Sequence, residues 1–481
     1  MVRVAFCQDM AYEYLGVMYL SAVLKQEGHE VEVFIDETNS GIDSKKKLVN
    51  EIAKWKPDII AFSCTTPSFM WALETARLTK ETIAKPTIFG GPHPTFSPEI
   101  IEDPAVDFVC RGEGEAIVKE LFKTLNSSAD YTGIKGLWVK KDNKIFKNPM
   151  RLLIEDLDSI PFPDRELYIG KYKYLSKSQK NILSGRGCPF DCSYCFNHKL
   201  KQVYADCGQY IRWRKPENVI KEIESIQNKY KVKNIHMQDD TFILNKAFLK
   251  TFCELYEKRI SIPFVCLVRP DLLTEEIAGW LKKADCRIVF MGVESGSEDM
   301  RVKVLKRKIT DKQIIDAAEY LKKNKIRFRT YNILGLPGET LEQAWETVAL
   351  NQRIKTDYPW CSLLYPYKGT DIGDYIEREG MLEDSIKYEL NSFFKTSIIR
   401  SPVRRELSNL QKLFCFAVLF PFLNKIIKFA VKLPENIVFD FLFLASYTWV
   451  FWRSEDIELS EVISIGFRSL KSGFYFKKRV A

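Results

Sequence analysis

The sequence predicts an α/β protein with an N-terminal doubly wound, Rossmann-like parallel sheet, a partial (β/α)6 TIM-like barrel and a mainly helical C-terminal region. Three observations carry this. Short β-branched or aromatic runs alternate with single helical segments through roughly the first quarter of the chain, the pattern of a parallel sheet covered on both faces. A second alternating series begins near residue 176. The alternation stops near residue 376, where aromatic and basic residues take over. The expected divisions are 1–130, a connector over 131–175, the barrel over 176–375 and the helical region over 376–481.

In the first series, strand signals fall at 2–7, 31–35, 59–63, 87–89 and 108–110. Helical spacing covers 16–27, 45–54, 71–83 and about ten residues from Glu115. Parallel sheets of this kind bind ligands at the carboxyl ends of their strands. Those ends carry Cys7-Gln8-Asp9, Ser63-Cys64-Thr65-Thr66, Gly90-Gly91-Pro92-His93-Pro94-Thr95 and Arg111-Gly112-Glu113-Gly114-Glu115. Such a concentration of glycine and small polar residues predicts a bound ligand. In the connector, 136–140 and 144–146 read as a hairpin around Lys141-Asp142-Asn143.

The second series has strand signals at 182–184, 234–237, 264–268, 287–291, 327–333 and 360–364. Helices are expected at 217–230, 246–258, 274–283, 311–324 and 341–353. Six β/α units suggest part of a barrel, with functional groups at the strand C-termini. In the tail, residues 410–452 place aromatic, Leu and Ile residues near helical spacing, with Lys425, Lys428 and Lys432 interleaved. A helical cap on the barrel is the expected role, and a basic amphipathic surface resting on a membrane is the alternative. No run is long enough to span a bilayer; Pro421 and Asp440 interrupt the nearest candidates.

Composition excludes several classes. The 481 residues are 46% hydrophobic and 28% charged, which is ordinary for a folded soluble chain. The net charge of +9 is spread along the sequence without a dense Lys/Arg block, so no nucleic-acid partner is expected. The twelve cysteines do not read as a disulfide scaffold. The N-terminus runs straight into a strand, without a signal-peptide pattern. Cys253, Cys266 and Cys286 sit singly in apolar runs, as buried free thiols do. A reducing cytoplasmic setting is expected, with peripheral contact at the inner membrane face if the tail meets lipid.

The strongest chemical signal is Gly185-Arg186-Gly187-Cys188-Pro189-Phe190-Asp191-Cys192-Ser193-Tyr194-Cys195-Phe196, directly after the first barrel strand. The spacing C-x3-C-x2-C can hold three irons of a cubane and leave the fourth open. Spacing alone also permits zinc, with His198 completing a Cys3His set. A structural zinc has no reason to sit at a barrel mouth.

This loop resembles the radical-SAM signature, with Phe196 in the aromatic place after the third cysteine. The resemblance implies a [4Fe–4S] cluster on Cys188, Cys192 and Cys195, and S-adenosylmethionine (SAM) chelated to the open iron. It places Asp239 and Asp240 at the SAM amino group, and Glu294 and Ser295 at its ribose and carboxylate. Asn332, Gly335 and Glu339 fall where the family contacts adenine. Arg269 would contact SAM or substrate, or else form a salt-bridged turn.

The first domain resembles the cobalamin-binding domains that precede such barrels, through Ser63, Thr65, Thr66, Gly90, Gly91, Pro92, His93, Thr95, Gly112, Glu113, Gly114 and Glu115. It departs from the D-x-H-x-x-G pattern: residues 9–16 contain no histidine. Together the resemblances imply a cobalamin-dependent radical SAM enzyme that transfers methyl to an unactivated carbon of a small, hydrophobic substrate. An external flavodoxin- or ferredoxin-type electron donor is implied as well. Three alternatives stand beside it: a cyclase, oxidase or ring-rearranging enzyme with the same cofactors; a methylthiotransferase-like enzyme with a second cluster on Cys7, Cys64 and Cys110; and a non-catalytic iron–sulfur sensor.

Overall fold

Two alternating series build two separate sheets, and the chain divides into two units accordingly. One comprises Met1–Lys177, Val203–Tyr210 and Ile463–Ala481; the other comprises Ser178–Gln202 and Ile211–Val462. The computed structural model describes all residues except 38, 40, 128, 173–174, 176–177, 384–393, 395, 464–465 and 467–481. The end of the expected helical tail, beyond residue 466, therefore lies outside the described residues.

The first unit contains β1 (Arg3–Gln8), α1 (Leu15–Gln26), β2 (Glu30–Ile35), α2 (Ile42–Trp55), β3 (Ile59–Ser63), α3 (Thr66–Ile83) and β4 (Thr87–Gly90). It continues with α4 (Pro92–Phe96), β5 (Phe108–Cys110), α5 (Glu115–Asn126), β6 (Leu137–Lys141), β7 (Lys144–Lys147) and α6 (Glu166–Ile169). The sheet order is β2-β1-β3-β4-β5-β6-β7. The first five strands pair in parallel, so the chain winds one way to β2 and the other way from β3. The switch point lies between β1 and β3, where such sheets open a crevice for ligands. Helices cover both faces because each carries one apolar stripe; α5 buries Ile117, Val118, Leu121 and Phe122 at helical spacing. The resulting cores flank the sheet, one around Val33, Phe108 and Leu121, the other around Phe62, Phe89 and Trp71.

The hairpin differs from its expected role as part of a connector. β6 pairs antiparallel with β5, and β7 with β6, so the hairpin extends the first sheet. Leu137 and Val139 alternate inward along β6 and bury there, which supplies the physical reason.

The second unit begins with β8 (Gln179–Ile182), β9 (Gly185–Arg186), α7 (Phe196–Val203, whose last residue belongs to the first unit), β10 (Arg212–Trp213), α8 (Pro216–Lys229) and β11 (Asn234–Met237). It continues with α9 (Lys246–Arg259), β12 (Phe264–Val268), α10 (Glu275–Lys283), β13 (Cys286–Glu294), α11 (Asp311–Lys323), β14 (Arg327–Leu334), α12 (Leu341–Arg353) and β15 (Tyr358–Leu363). The tail supplies α13 (Asp371–Arg378), α14 (Arg404–Leu419), α15 (Asn424–Ala430) and α16 (Ile437–Glu455). β8, β11, β12, β13, β14 and β15 lie side by side in chain order and all in parallel. This is the wall of a six-unit β/α barrel, and it is open, because β8 and β15 are its two edges. The first strand precedes its expected position: it ends at Ile182, leaving Leu183 and Ser184 to start the cysteine loop. β13 runs longer than expected and ends on Glu294.

The tail has the expected cap. α14 and the inner face of α16 pack on α12 and β15 through Leu410, Phe414, Val418 and Phe439. The C-terminal end of α16 closes the lower end of the sheet. Glu455 receives Arg329 at 2.9 Å, and its backbone carbonyl accepts from Gln179 and Asn234. Among the described residues no helix is long and apolar enough to cross a membrane.

Candidate active site

The loop after β8 is shaped by close backbone approaches. Gly185 pairs with Trp213, and a Cβ there would lie 2.8 Å from the Arg212 carbonyl. Gly187 has φ +88, a conformation that favours glycine. The loop is then pinned at Ser193, whose N–H donates to Leu305 and whose hydroxyl donates to Val304 at 2.6 Å. Ser193 accepts from Ile372 N–H in turn. Held this way, Cys188, Cys192 and Cys195 line one cavity that is open to solvent. Burial pushes the Cys195 thiol up to about 11 and raises Cys188 as well.

Further strand ends close around the thiols. Asp240 and Thr241 follow β11, Arg269 follows β12, and Gly292 and Glu294 end β13. Leu267, Phe290 and Tyr331 form an apolar floor. Two guanidinium groups converge on one sulfur: Arg269 Nη1 is 3.6 Å and Arg307 Nη1 3.9 Å from Cys192 Sγ. Arg269 stacks on Phe190 at 3.5 Å and pairs with Asp271 at 3.0 Å. The expected salt-bridged turn is therefore present, and the same side chain also faces the cavity. Arg307 donates to the Gly292 carbonyl at 2.7 Å and lies 3.8 Å from Glu294. Glu294 adopts φ +66, an uncommon conformation for a non-glycine residue. Burial raises the carboxyl groups of Asp240 and Glu294, partly offset by Asn197 for the first and by Arg307 and Tyr194 for the second.

The structure separates the expected site residues into two groups. Cys188, Cys192, Cys195, Asp240, Arg269 and Glu294 share the cavity. The others have structural partners. Asp239 accepts from the Ser184 N–H and hydroxyl, tying β8 to β11, and burial pushes it up to about 6. Ser295 is buried and accepts from Ser297 N–H. Asn332 donates to the Trp360 carbonyl and accepts from Asn351. Glu339 accepts from the N–H groups of Gly335 and Leu336, closing that turn. Phe196 rests on Tyr367, with ring centroids 5.0 Å apart. Phe190, Tyr194, Asn197 and Arg307 join the cavity without having been expected. The first three lie inside or beside the cysteine motif, where a local signal existed; Arg307 had none.

His198 is not a fourth ligand. Its Nδ1 faces Asp191 at 3.0 Å and its Nε2 faces Asp371 at 3.1 Å. Among the described residues no three His, Cys, Asp or Glu side chains converge on a single-ion position. Three thiols spread around one cavity, with open space between them, fit a polynuclear cluster that leaves one metal for a small ligand.

In the first unit the glycine-rich strand ends lie at and beside the switch point. Ser63 ends β3; Thr65 caps α3 through Ser68, and Thr66 opens that helix. In the Gly90–Thr95 run, Gly91 turns the chain at φ +97 and α4 starts at Pro92. A Cβ on Gly91 would lie 2.8 Å from the Cys64 carbonyl. Thr95 is buried, donating to Gly91 and accepting from Gly112 N–H. His93 stacks on Phe69 at 4.2 Å, with Nδ1 3.2 Å from Thr66 Oγ1. Tyr204 covers Gly112 and accepts from Glu113 N–H. Glu113 itself accepts from Ile154 N–H. Gly114 borders Leu20, and Glu115 is buried in the first turn of α5. Ser63, Thr66, Gly90, Gly91 and Gly114 are small and partly exposed at these strand ends, which suits a broad flat ligand such as a corrin.

The second-cluster alternative fails on geometry. Cys7 and Cys64 lie in the core on one side of the sheet, and Cys110 lies in the core on the other. Burial raises all three thiols, Cys110 to about 12.

Comparison with known proteins agrees with this geometry. Residues 182–350 match the Radical SAM superfamily, and residues 6–122 match the B12 binding domain. An uncharacterized methyltransferase of Pyrococcus horikoshii is 31% identical over 76% of this chain and 79% of that protein. The anaerobic magnesium-protoporphyrin IX monomethyl ester cyclase of Rubrivivax gelatinosus is 28% identical over 75% of this chain and 66% of its own length. The radical S-adenosylmethionine methyltransferase TsrM of Kitasatospora setae shares the fold, with TM-score 0.70 and 17% identity over 98% of this chain and all of that one. The cobalamin-dependent radical enzyme OxsB superposes with TM-score 0.67 and 16% identity, over 100% of this chain and 76% of that one. The fold and site define a radical SAM protein. This chain belongs to the group of that superfamily in which a B12 binding domain precedes the barrel.

Proposed function

We propose that the protein is a cobalamin-dependent radical SAM methyltransferase acting on an unactivated carbon of a small, hydrophobic substrate. The observation that carries this is the meeting of Cys188, Cys192 and Cys195 with Asp240, Glu294, Arg269 and Arg307 around one cavity. Cys188, Cys192 and Cys195 would hold a [4Fe–4S] cluster, and the rim at Ser63, Thr66, Gly90, Gly91 and Gly114 would hold cobalamin. When bound, these groups supply the electron that opens SAM and the carrier for its methyl; an external flavodoxin- or ferredoxin-type protein would replenish the electron.

The chain's own contribution is binding, orientation and charge. Asp240 lines the cavity beside the thiols and suits the amino group of SAM. Glu294, oriented by Arg307, is placed for ribose hydroxyls. The two arginines balance the negative charge of the thiolates and of the SAM carboxylate, which the three sulfurs would otherwise repel. Leu267, Phe290 and Tyr331 keep water away from one side of the cavity. Asp239, Ser295, Asn332, Gly335 and Glu339 act one step back, by setting the strand ends that carry these groups.

Anaerobic reconstitution tests the reading. The loaded protein should hold about four irons and one cobalt per chain and convert SAM to 5′-deoxyadenosine under reduction. Cys192→Ala should abolish both the bound iron and the conversion. A chain that holds cobalt yet never cleaves SAM would sink the proposal. Likeness to the magnesium-protoporphyrin cyclase supports a second reading, oxidative ring closure with the same cofactors. Mass spectrometry of the product separates the two: a gained methyl supports transfer, lost hydrogens support ring closure.

A further inference from the structure

The tail helices carry an apolar ridge on their outer side. α15 follows a 3-10 turn at Pro421–Leu423 and buries Ile427 and Val431 against α14. Its opposite face presents Phe422, Ile426 and Phe429, spaced i, i+4, i+7. After a six-residue connection, the first turns of α16 present Ile437, Val438 and Phe441. These six side chains are between 59% and 77% exposed. Scattered exposed apolar residues are normal, but a run of large ones on adjoining helices marks an interaction surface.

Charge identifies the partner. Lys425, Lys428 and Lys432 are exposed among these apolar positions. The only acids between residues 420 and 441 are Glu435 and Asp440, and both turn to the buried Lys412, at 3.5 and 2.7 Å. Lys425 and Lys432 therefore meet no acid from this segment, while Lys428 lies over the Trp345 ring at 5.2 Å. A second copy seated on the same face would set lysines against lysines, which opposes an isologous interface. Apolar side chains flanked by cations suit a surface with hydrocarbon below and phosphate above.

We propose that this ridge docks on an anionic lipid bilayer, with the phenylalanines and isoleucines at the acyl boundary and the three lysines at the phosphates. Flotation of the full-length protein with vesicles tests it. Binding to equal parts phosphatidylcholine and phosphatidylglycerol should exceed binding to phosphatidylcholine alone by about tenfold or more, and should weaken with salt. A Phe422→Ser, Phe429→Ser double variant should lose about tenfold or more in vesicle binding while keeping the melting temperature of the parent, since both side chains are exposed. Lys425→Gln with Lys432→Gln should remove most of the preference for anionic vesicles. Absence of the protein from the floated anionic fraction, or equal flotation of both double variants and the parent, overturns the proposal. So does a sedimenting dimer that Phe422→Ser, Phe429→Ser dissolves, which would assign the ridge to a second copy.

Discussion

Arg269 reaches to 3.6 Å of the Cys192 sulfur with one edge of its guanidinium and pairs with Asp271 through the other. Asp271 and the Phe190 ring hold the planar group still, so its charge is aimed at a single sulfur. Hydrogen bonds and positive charge at a cluster sulfur favour the reduced form. Arg269→Met should therefore lower the reduction potential of the reconstituted cluster while iron content stays near that of the parent. A spectroscopic redox titration checks this, and an unchanged potential would show that the pair has no electrostatic role.

Glu455 anchors the lower end of the second sheet. Burial would raise its carboxyl, but His236, Arg329 and Gln179 outweigh that and hold it down near about 2. Glu455→Gln leaves Arg329 buried without its anion, at a cost of about 3–5 kcal/mol in unfolding free energy. Because the folded value is depressed, the stabilisation is present above the unfolded value of 4.5 and is lost as pH falls through about 2. Urea unfolding at several pH values should show the gap between parent and variant narrowing below pH 4.5.

Glu339 should have the opposite pH dependence. Burial pushes it up to about 8, and the N–H groups of Leu336 and Gly335 offset only part of that. Stability from the neutral form is full below 4.5 and is lost as pH rises through about 8. Glu339→Gln should flatten the fall in stability across this interval, as measured by melting temperature. A parent that shows no such fall would contradict the burial argument.

Gly296 sits where two backbones touch. A Cβ there would lie 2.3 Å from the Glu346 carbonyl oxygen, and its N–H donates to Thr347 Oγ1 at 2.8 Å. Gly296→Ala must displace α12 or the end of β13, costing about 1–3 kcal/mol. Calorimetry should show the lowered melting temperature. SAM binding should weaken too, because Glu294 moves with the strand end.

Much of the architecture was legible because period and punctuation are local properties. The cysteine loop stood out because its three thiols lie within eight consecutive residues, so one short segment brings all three to one cavity. Glu294 and Asp240 were legible from their place at strand ends. The placement of Asp239 was not, since only the fold turns its carboxylate to Ser184. Arg307 was invisible for the same reason: it comes from a segment after β13, and its convergence on Cys192 depends on how that segment folds back.

By itself the sequence determined the alternating α/β plan, the clustering of three cysteines in one loop and the glycine-rich strand ends, because each is written in neighbouring residues. Tertiary structure alone decided that the hairpin joins the first sheet, that Cys7 and Cys64 lie across that sheet from Cys110, and that His198 is claimed by two aspartates. It also decided which tail residues cap the barrel and which stay exposed. Those outcomes depend on which face of each element packing consumes, and that is set by partners far away in the chain.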